Sequence, residues 1–169
     1  MESFYLSSKG IRETAKSKEN LERKLSIKIK IENNHVFIEG KPMAEYETSL
    51  VFNAIKFGFS VSKALLLKGE DMAFRIIHIR KHTKRKLKDI KARLIGTKGK
   101  TRRVMSDISN CEILIRESDV GILGSFKDVE NAETAIISLI KGSKQANMYR
   151  YLEKMNRRKK EEDGMMNIK

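Results

Sequence analysis

The stretch Ile95-Gly96-Thr97-Lys98-Gly99-Lys100-Thr101-Arg102-Arg103 sets two glycines around a two-residue tip, with apolar positions at helical spacing on either side. Upstream, Leu87, Ile90 and Leu94 share one helical face; downstream, Val104 and Ile108 do the same. The stretch therefore joins two helices. Glycine at both ends admits positive φ and leaves no Cβ to hold a ligand away. The second helix starts with unpaired N–H groups and the positive end of its dipole. Lys98, Lys100, Arg102 and Arg103 add cations, so the natural visitor is a phosphate of a nucleic acid.

Charge points to the same place. The chain of 169 residues carries a formal charge of +14. Residues 1–74 hold 12 Lys/Arg against 10 Asp/Glu, residues 75–103 hold 13 against 1, and residues 104–169 hold 11 against 11. A solvated face interleaves both signs, as the rest of the chain does; the excess lies on the run entering the glycine loop. Lys84, Arg85, Lys88, Lys91 and Arg93 are expected to extend the cationic track from the loop. Ile95 is placed to line a base-binding groove, with plain core as its alternative.

Outward from the loop, the chain reads as two copies of one pattern. In the first half, Phe4-Tyr5-Leu6 opens a strand and a helix runs from about Gly10. Leu21 and Leu25 mark a second helix capped by Ser17 or Asn20. Ile27, Ile29 and Ile31 alternate with charges as a half-buried strand, Asn33-Asn34 turns, and Val36-Phe37-Ile38 returns. An apolar helix from about Ala44 to Phe57 ends at Gly58, and a short helix through Val61 to Leu67 closes at Gly69. In the second half, Phe74, Ile76, Ile77 and Ile79 suggest a strand, followed by a basic helix from about Thr83. The glycine loop and its helix lead to a strand at Glu112–Arg116, a turn, and a strand at Val120–Leu123. Ser125 caps the approach to a helix from about Val129 to Ile140, ending at Gly142. Gly40 and Gly124 are 84 residues apart, as are Gly58 and Gly142, which argues for duplication. The place equivalent to the glycine loop falls within Arg12–Lys16 of the first copy and has no glycine.

The expected fold is α+β: two units, each a three-stranded antiparallel sheet packed on three helices. Boundaries are expected at 1–69, 70–155 and a basic-then-acidic tail, 156–169, without order. Met148, Tyr149, Tyr151, Leu152 and Met155 have the spacing of a packed C-terminal helix, with stacking on bases as the alternative. His35, His78 and His82 are too scattered for a metal site. The single Cys111 excludes an intrachain disulfide and is read as a small core residue. No apolar run reaches transmembrane length and no signal-peptide core opens the chain, so an intracellular, cytoplasmic protein without a membrane partner is expected. No Ser/His/Asp arrangement or Walker loop is present, and no enzyme or cofactor is expected.

The order strand, helix, Gly-x-x-Gly, helix, strand, strand, helix resembles the type I KH domain. A closer resemblance covers almost the whole chain. Arg93–Arg103, Ile122-Leu123-Gly124-Ser125-Phe126, Ala132–Ile136, Lys141-Gly142-Ser143 and Met148–Glu153 resemble the Dim-two or partner-of-Nob family of tandem KH pre-ribosomal proteins, in its archaeal form. The resemblance implies two tandem type I KH domains, the first degenerate. It further implies binding of single-stranded RNA near the 3′ end of small-subunit ribosomal RNA, in support of its maturation. The implied partners are a PIN-domain endonuclease and the alpha subunit of translation initiation factor two. RNA would be held by Ile95, Gly96, Thr97, Lys98, Gly99, Lys100, Thr101, Arg102 and Arg103, with Lys91, Lys88 and Arg85 beside them. The alternatives are a KH adaptor in RNA decay or translation, and a protein scaffold whose basic run meets an acidic partner.

Overall fold

The computed structural model describes residues 1–166 and is α+β. The chain divides into two compact units, the first Met1–Phe74 and the second beginning at Arg75. The change of unit thus comes a few residues after Gly69.

In the first unit, β1 (Glu2–Tyr5), β2 (Ile27–Glu32) and β3 (His35–Gly40) form a sheet in the order β1-β3-β2. Both pairings are antiparallel, with Ile29 opposite Ile38 and Phe4 opposite Val36. Alternation does the sorting: Ile27, Ile29, Val36 and Ile38 are buried while Lys28 and Lys30 face water. Helix α1 (Ser8–Lys16) buries Gly10 and Thr14, while α2 (Lys18–Leu25) and α3 (Pro42–Phe57) supply Leu21, Leu25, Val51, Phe52 and Ile55 to the core, where Phe52 stacks on Phe4 at 5.5 Å. Ser7 caps α1 by accepting from the Gly10 N–H at 3.2 Å. Proline at its first position starts α3 two residues before Ala44. The chain then makes α4 (Val61–Ala64) and a 3-10 turn, Leu65–Lys68.

The second unit repeats the plan with β4 (Met72–His78), β5 (Glu112–Arg116) and β6 (Asp119–Ser125), ordered β4-β6-β5 in an antiparallel sheet. Its helices are α5 (Leu87–Ile95), α6 (Lys100–Ser109), α7 (Phe126–Ile140) and α8 (Gln145–Met166). Two expectations are corrected. The basic helix begins at Leu87, four residues after Thr83: Lys84-Arg85-Lys86 would have put three cations at the positive end of the helix dipole, and Asp89 occupies the first turn instead. Nor is the tail 156–169 without order. Residues 156–166 continue α8, with Lys159 paired to Asp128 at 2.8 Å, Glu162 to Lys127, and Asn156 bonded to Asn110 at 3.3 Å. Opposite charges four apart, such as Arg157 with Glu161 and Arg158 with Glu162, support the helix locally. The remainder of that tail, residues 167–169, lies outside the described residues.

The 84-residue offset is physical. Ser26 and Asn110 both hold left-handed backbone (φ 54° and 56°), as do Asn33 and Glu117 (φ 53° and 52°), and Gly58 and Gly142 end α3 and α7 at φ 133° and 115°. A Cβ on Gly40 would lie 2.9 Å from Ile27 Cγ2, and one on Gly124 would lie 2.9 Å from Cys111 Sγ; Ile27 and Cys111 are again 84 apart. The helix exits match as well: Phe59 N donates to the Ala54 carbonyl at 3.1 Å, and Ser143 N to the Ser138 carbonyl at 3.0 Å. The register breaks at the joint between each unit's first two helices. Arg12–Lys16, expected to hold the equivalent of the glycine loop, lie inside α1, and the joint is the single residue Ser17. The second unit spends Gly96–Gly99 there.

Candidate nucleic-acid interface

The loop is built from two glycines with different tasks. Gly96 ends α5 at φ 73°, ψ 175°, a region open essentially to glycine alone. A Cβ there would lie 2.2 Å from Thr101 Oγ1 and 2.7 Å from Thr101 N, so Gly96 lets the loop close onto the start of α6. Gly99 is left-handed at φ 76°, ψ 14°, and the space where its Cβ would stand is empty to 4 Å. Gly96 thus serves the fold, and Gly99 presents bare backbone outward. Between them the tip closes as a 3-10 turn through Gly99 N to the Gly96 carbonyl, 3.2 Å, with Lys98 held at φ 54°.

Directly behind the tip, α6 begins with no side-chain cap and no acidic residue in its first turn. Its first amides and its dipole are therefore aimed outward with no anion of the helix itself to meet them. Thr97, Lys98, Lys100 and Arg103 are exposed around this point, as are Arg85 and Lys88, while Ile95, Gly96, Gly99, Lys91 and Arg102 are half-buried. Backbone N–H groups, the positive end of a dipole and exposed cations are the groups that phosphates bind.

Several predicted site side chains have structural partners. Thr101 is buried, and its Oγ1 accepts from Gln145 Nε2 at 3.2 Å, so only its backbone remains to offer a ligand. Arg102 donates to the Ile113 carbonyl of β5 at 3.3 Å, bridging α6 to the edge strand. Arg85 lies with its guanidinium against Gly142. Arg93, expected in the cationic track, caps the end of α7 instead, donating to the carbonyls of Leu139 (3.3 Å) and Ser143 (2.7 Å). Gln145 went unnoticed in the sequence. It ties the first turn of α8 to the loop through Thr101 and through the Arg93 carbonyl, 3.4 Å away, and a lone glutamine carries no local signal of that task. Among the described residues no group of three or more His, Cys, Asp or Glu could hold a metal ion. His78 pairs with Asp119 at 2.7 Å.

A family model described as "Eukaryotic type KH-domain (KH-domain type I)" matches residues 73–157, half of the chain. The chain belongs to the type I KH family. Within that KH family it is of the archaeal Dim2/PNO1 kind. It is 27% identical over 145 residues to a KH domain-containing protein of Methanocaldococcus jannaschii, covering 81% of this chain and 64% of that one. It is 33% identical over 117 residues to the pre-rRNA-processing protein pno1 of Aspergillus fumigatus, covering 64% and 45%. The chain thus spans less than two thirds of these curated relatives. Among solved structures, a protein of unknown function from Aeropyrum pernix superposes with TM-score 0.82 at 26% identity, covering 98% of this chain and 96% of that one. A chain in the a/eIF2alpha-aDim2p-rRNA complex of Pyrococcus horikoshii superposes with TM-score 0.79 at 28% identity, covering 92% and 93%. The KH match takes in the Gly-x-x-Gly loop, both helices around it, the sheet and the first half of α8.

Proposed function

We propose that the protein is an RNA-binding ribosome assembly factor: it holds single-stranded RNA near the 3′ end of the small-subunit ribosomal RNA and assists its maturation, without catalysing a reaction itself. One observation carries the proposal. Gly99 offers unobstructed backbone at the uncapped, acid-free start of a helix ringed by exposed cations, in a chain whose family includes pre-rRNA-processing proteins and a relative crystallised with rRNA. The RNA backbone passes over Gly96–Gly99, with Thr97 and Lys98 at the tip. The amides of Lys100 to Arg103, and the side chains of Lys100 and Arg103, meet its phosphates, while Lys88, Lys91 and Arg85 lengthen the attraction. Ile95 lines the groove that receives the bases.

Both units act as KH domains in tandem, divided as 1–69 and 70–155 with the tail following, and the first is degenerate because its helices join through Ser17 alone. The alpha subunit of translation initiation factor two is a partner, supported by the relative's complex, and a PIN-domain endonuclease is a further one. No helix among the described residues is long and apolar enough to cross a membrane, and we place the protein in the cytoplasm.

The test is anisotropy of a labelled 3′-terminal segment of small-subunit rRNA, with an unrelated single strand as control. Replacing Thr97 and Lys98 together by Asp leaves the melting curve unchanged, since both are exposed, and abolishes binding by setting carboxylates against phosphate. Normal binding by that variant would refute the loop assignment.

A further inference from the structure

Between its first strand and its first helix the second unit carries a segment that the first does without. Leu6 N donates to the Asn34 carbonyl at 2.9 Å and Ile79 N to the Ser118 carbonyl at 3.0 Å. Asn34 and Ser118 are 84 residues apart, so Leu6 and Ile79 are equivalent places in the two units, and both side chains are buried. From Leu6 the chain reaches α1 through Ser7 alone, whereas from Ile79 it takes Arg80-Lys81-His82-Thr83-Lys84-Arg85-Lys86 to reach α5. The core closes without these residues, so their composition answers to something outside it.

Five of the seven are Lys or Arg and none is Asp or Glu. All five cations are exposed, and none forms an ion pair among the described residues. The backbone beneath them is nevertheless held. Ile79–Lys81 makes a 3-10 turn with His82 N donating to the Ile79 carbonyl at 3.0 Å, Arg85 N donates to Thr83 Oγ1 at 3.2 Å, and Asp89 N donates to the Lys86 carbonyl at 3.1 Å. The Arg85 guanidinium rests against Gly142, where an added Cβ would lie 3.3 Å from two of its nitrogens, yet its donors meet no acceptor among the described residues. Like charges held this close repel one another, and a polyanion relieves the repulsion.

We propose that Arg80–Lys86 is a second RNA site, gripping the phosphates of a double-helical stem next to the single strand held at the glycine loop, a role that rests on the RNA-binding reading of that loop. The nine residues of α5 separate the two by about 13 Å, so one RNA molecule spans them. What the segment lacks decides the form of RNA. Single-strand sites join a basic track to aromatic surface on which bases stack, whereas the exposed residues here are all cationic. A duplex keeps its bases inside and offers phosphates, which cations meet without reading sequence.

Anisotropy compares three probes on the whole protein: the 3′-terminal rRNA segment alone, the same segment joined to a hairpin stem of unrelated sequence, and the same segment lengthened by as many unpaired nucleotides. The stem raises affinity at least about tenfold and steepens the log–log salt slope by about 0.9 for each phosphate met, whereas unpaired lengthening leaves affinity within about twofold. R80Q/K81Q/K86Q removes the gain from the stem and binds the bare segment as the parent does, with an unchanged melting curve because all three side chains are exposed. T97D/K98D does the converse, losing the bare segment and keeping a stem binding that salt abolishes. If T97D/K98D binds the bare segment normally, the glycine loop is not the single-strand site. Four other outcomes overturn the stem site itself: a stem that adds nothing, an equal gain from unpaired nucleotides, an undiminished gain in R80Q/K81Q/K86Q, or poly-glutamate displacing the stem as readily as duplex RNA does. The first two are read on the parent protein and need no variant.

Discussion

Substituting alanine at Gly96 and at Gly99 separates folding from binding within one four-residue loop. At Gly96, φ 73° and ψ 175° confine the backbone to glycine, a strain of about 1–3 kcal/mol for alanine. The new Cβ also meets Thr101 Oγ1 at 2.2 Å and its N at 2.7 Å, and moving the loop off α6 costs about 1–3 kcal/mol more, as overpacking does. The sum is about 4 kcal/mol. Against a stability of about 5–15 kcal/mol for a domain, the second unit melts some 15 °C or more earlier. At Gly99 the only charge against alanine is the left-handed φ of 76°, about 1 kcal/mol, because nothing stands within 4 Å of the added methyl. Melting then falls by only about 4–8 °C. Binding reverses the ranking for the surviving fold: the Gly99 methyl projects into the space that the RNA backbone must enter, and affinity for the 3′-terminal rRNA segment drops more than about tenfold, or 1.4 kcal/mol. Circular dichroism melts and anisotropy titrations at one salt concentration read both. A Gly99→Ala protein that binds RNA like the parent, or a Gly96→Ala protein that melts with it, refutes this division of labour.

Salt provides a second check. With exposed Lys88, Lys98, Lys100 and Arg103 each displacing a counterion, the slope of log affinity on log salt is about −2.8 for single strands, about a 50-fold loss between 50 and 200 mM; a slope near zero in anisotropy titrations removes the phosphate contacts. Arg93→Ala strips its donors from the Leu139 and Ser143 carbonyls and destabilises by about 1–3 kcal/mol in denaturant unfolding, whereas exposed Lys88→Ala leaves stability within about 0.5 kcal/mol and weakens binding. Burial pushes the Cys111 thiol from its ordinary 9.0 up to about 12, with hydrogen bonding by the Ser109 side chain pulling the other way. A thiol reagent at pH 8 therefore labels the native protein far more slowly than the unfolded one. Because the folded value lies above the unfolded one, the contribution of this thiol to stability is whole below pH 9 and is lost as pH rises from about 9 toward 12, which urea unfolding at pH 8 and pH 10 measures.

What the sequence disclosed follows the range of the forces involved. Strand alternation at Ile27–Ile31, the Ser125 cap and the glycine exits at Gly58 and Gly142 are local, and each is where its pattern put it. The glycine loop was legible because its geometry is written in residue type. Arg93 was not. A cation in a basic run looks like every other cation in it, and only the fold brings the carbonyls of Leu139 and Ser143, some fifty residues away, to its guanidinium. Gln145 and Arg102 are the same case, each meeting its partner through tertiary structure. The length of α8 escaped for a related reason: Arg157–Asp163 has the composition of a solvated tail, and its order depends on Asp128, Lys127 and Asn110.

The two copies show how one scaffold can carry different surfaces. Their β2–β3 and β5–β6 hairpins, left-handed turns and helix exits agree residue for residue at the offset, so the core tolerates little departure. The copies differ where the core is indifferent. One such place is the joint between the first two helices, Ser17 against Gly96–Gly99; another is the face of the third helix, Met43, Tyr46 and Leu50 against Lys127, Glu130 and Thr134. Each copy is thus specialised at the position the other leaves plain. Bare backbone and cations suit a polyanion. Because Met43, Tyr46 and Leu50 belong to the copy without the glycine loop, M43K/Y46E/L50T leaves RNA binding at the parent value in anisotropy titrations, whereas T97D/K98D abolishes it.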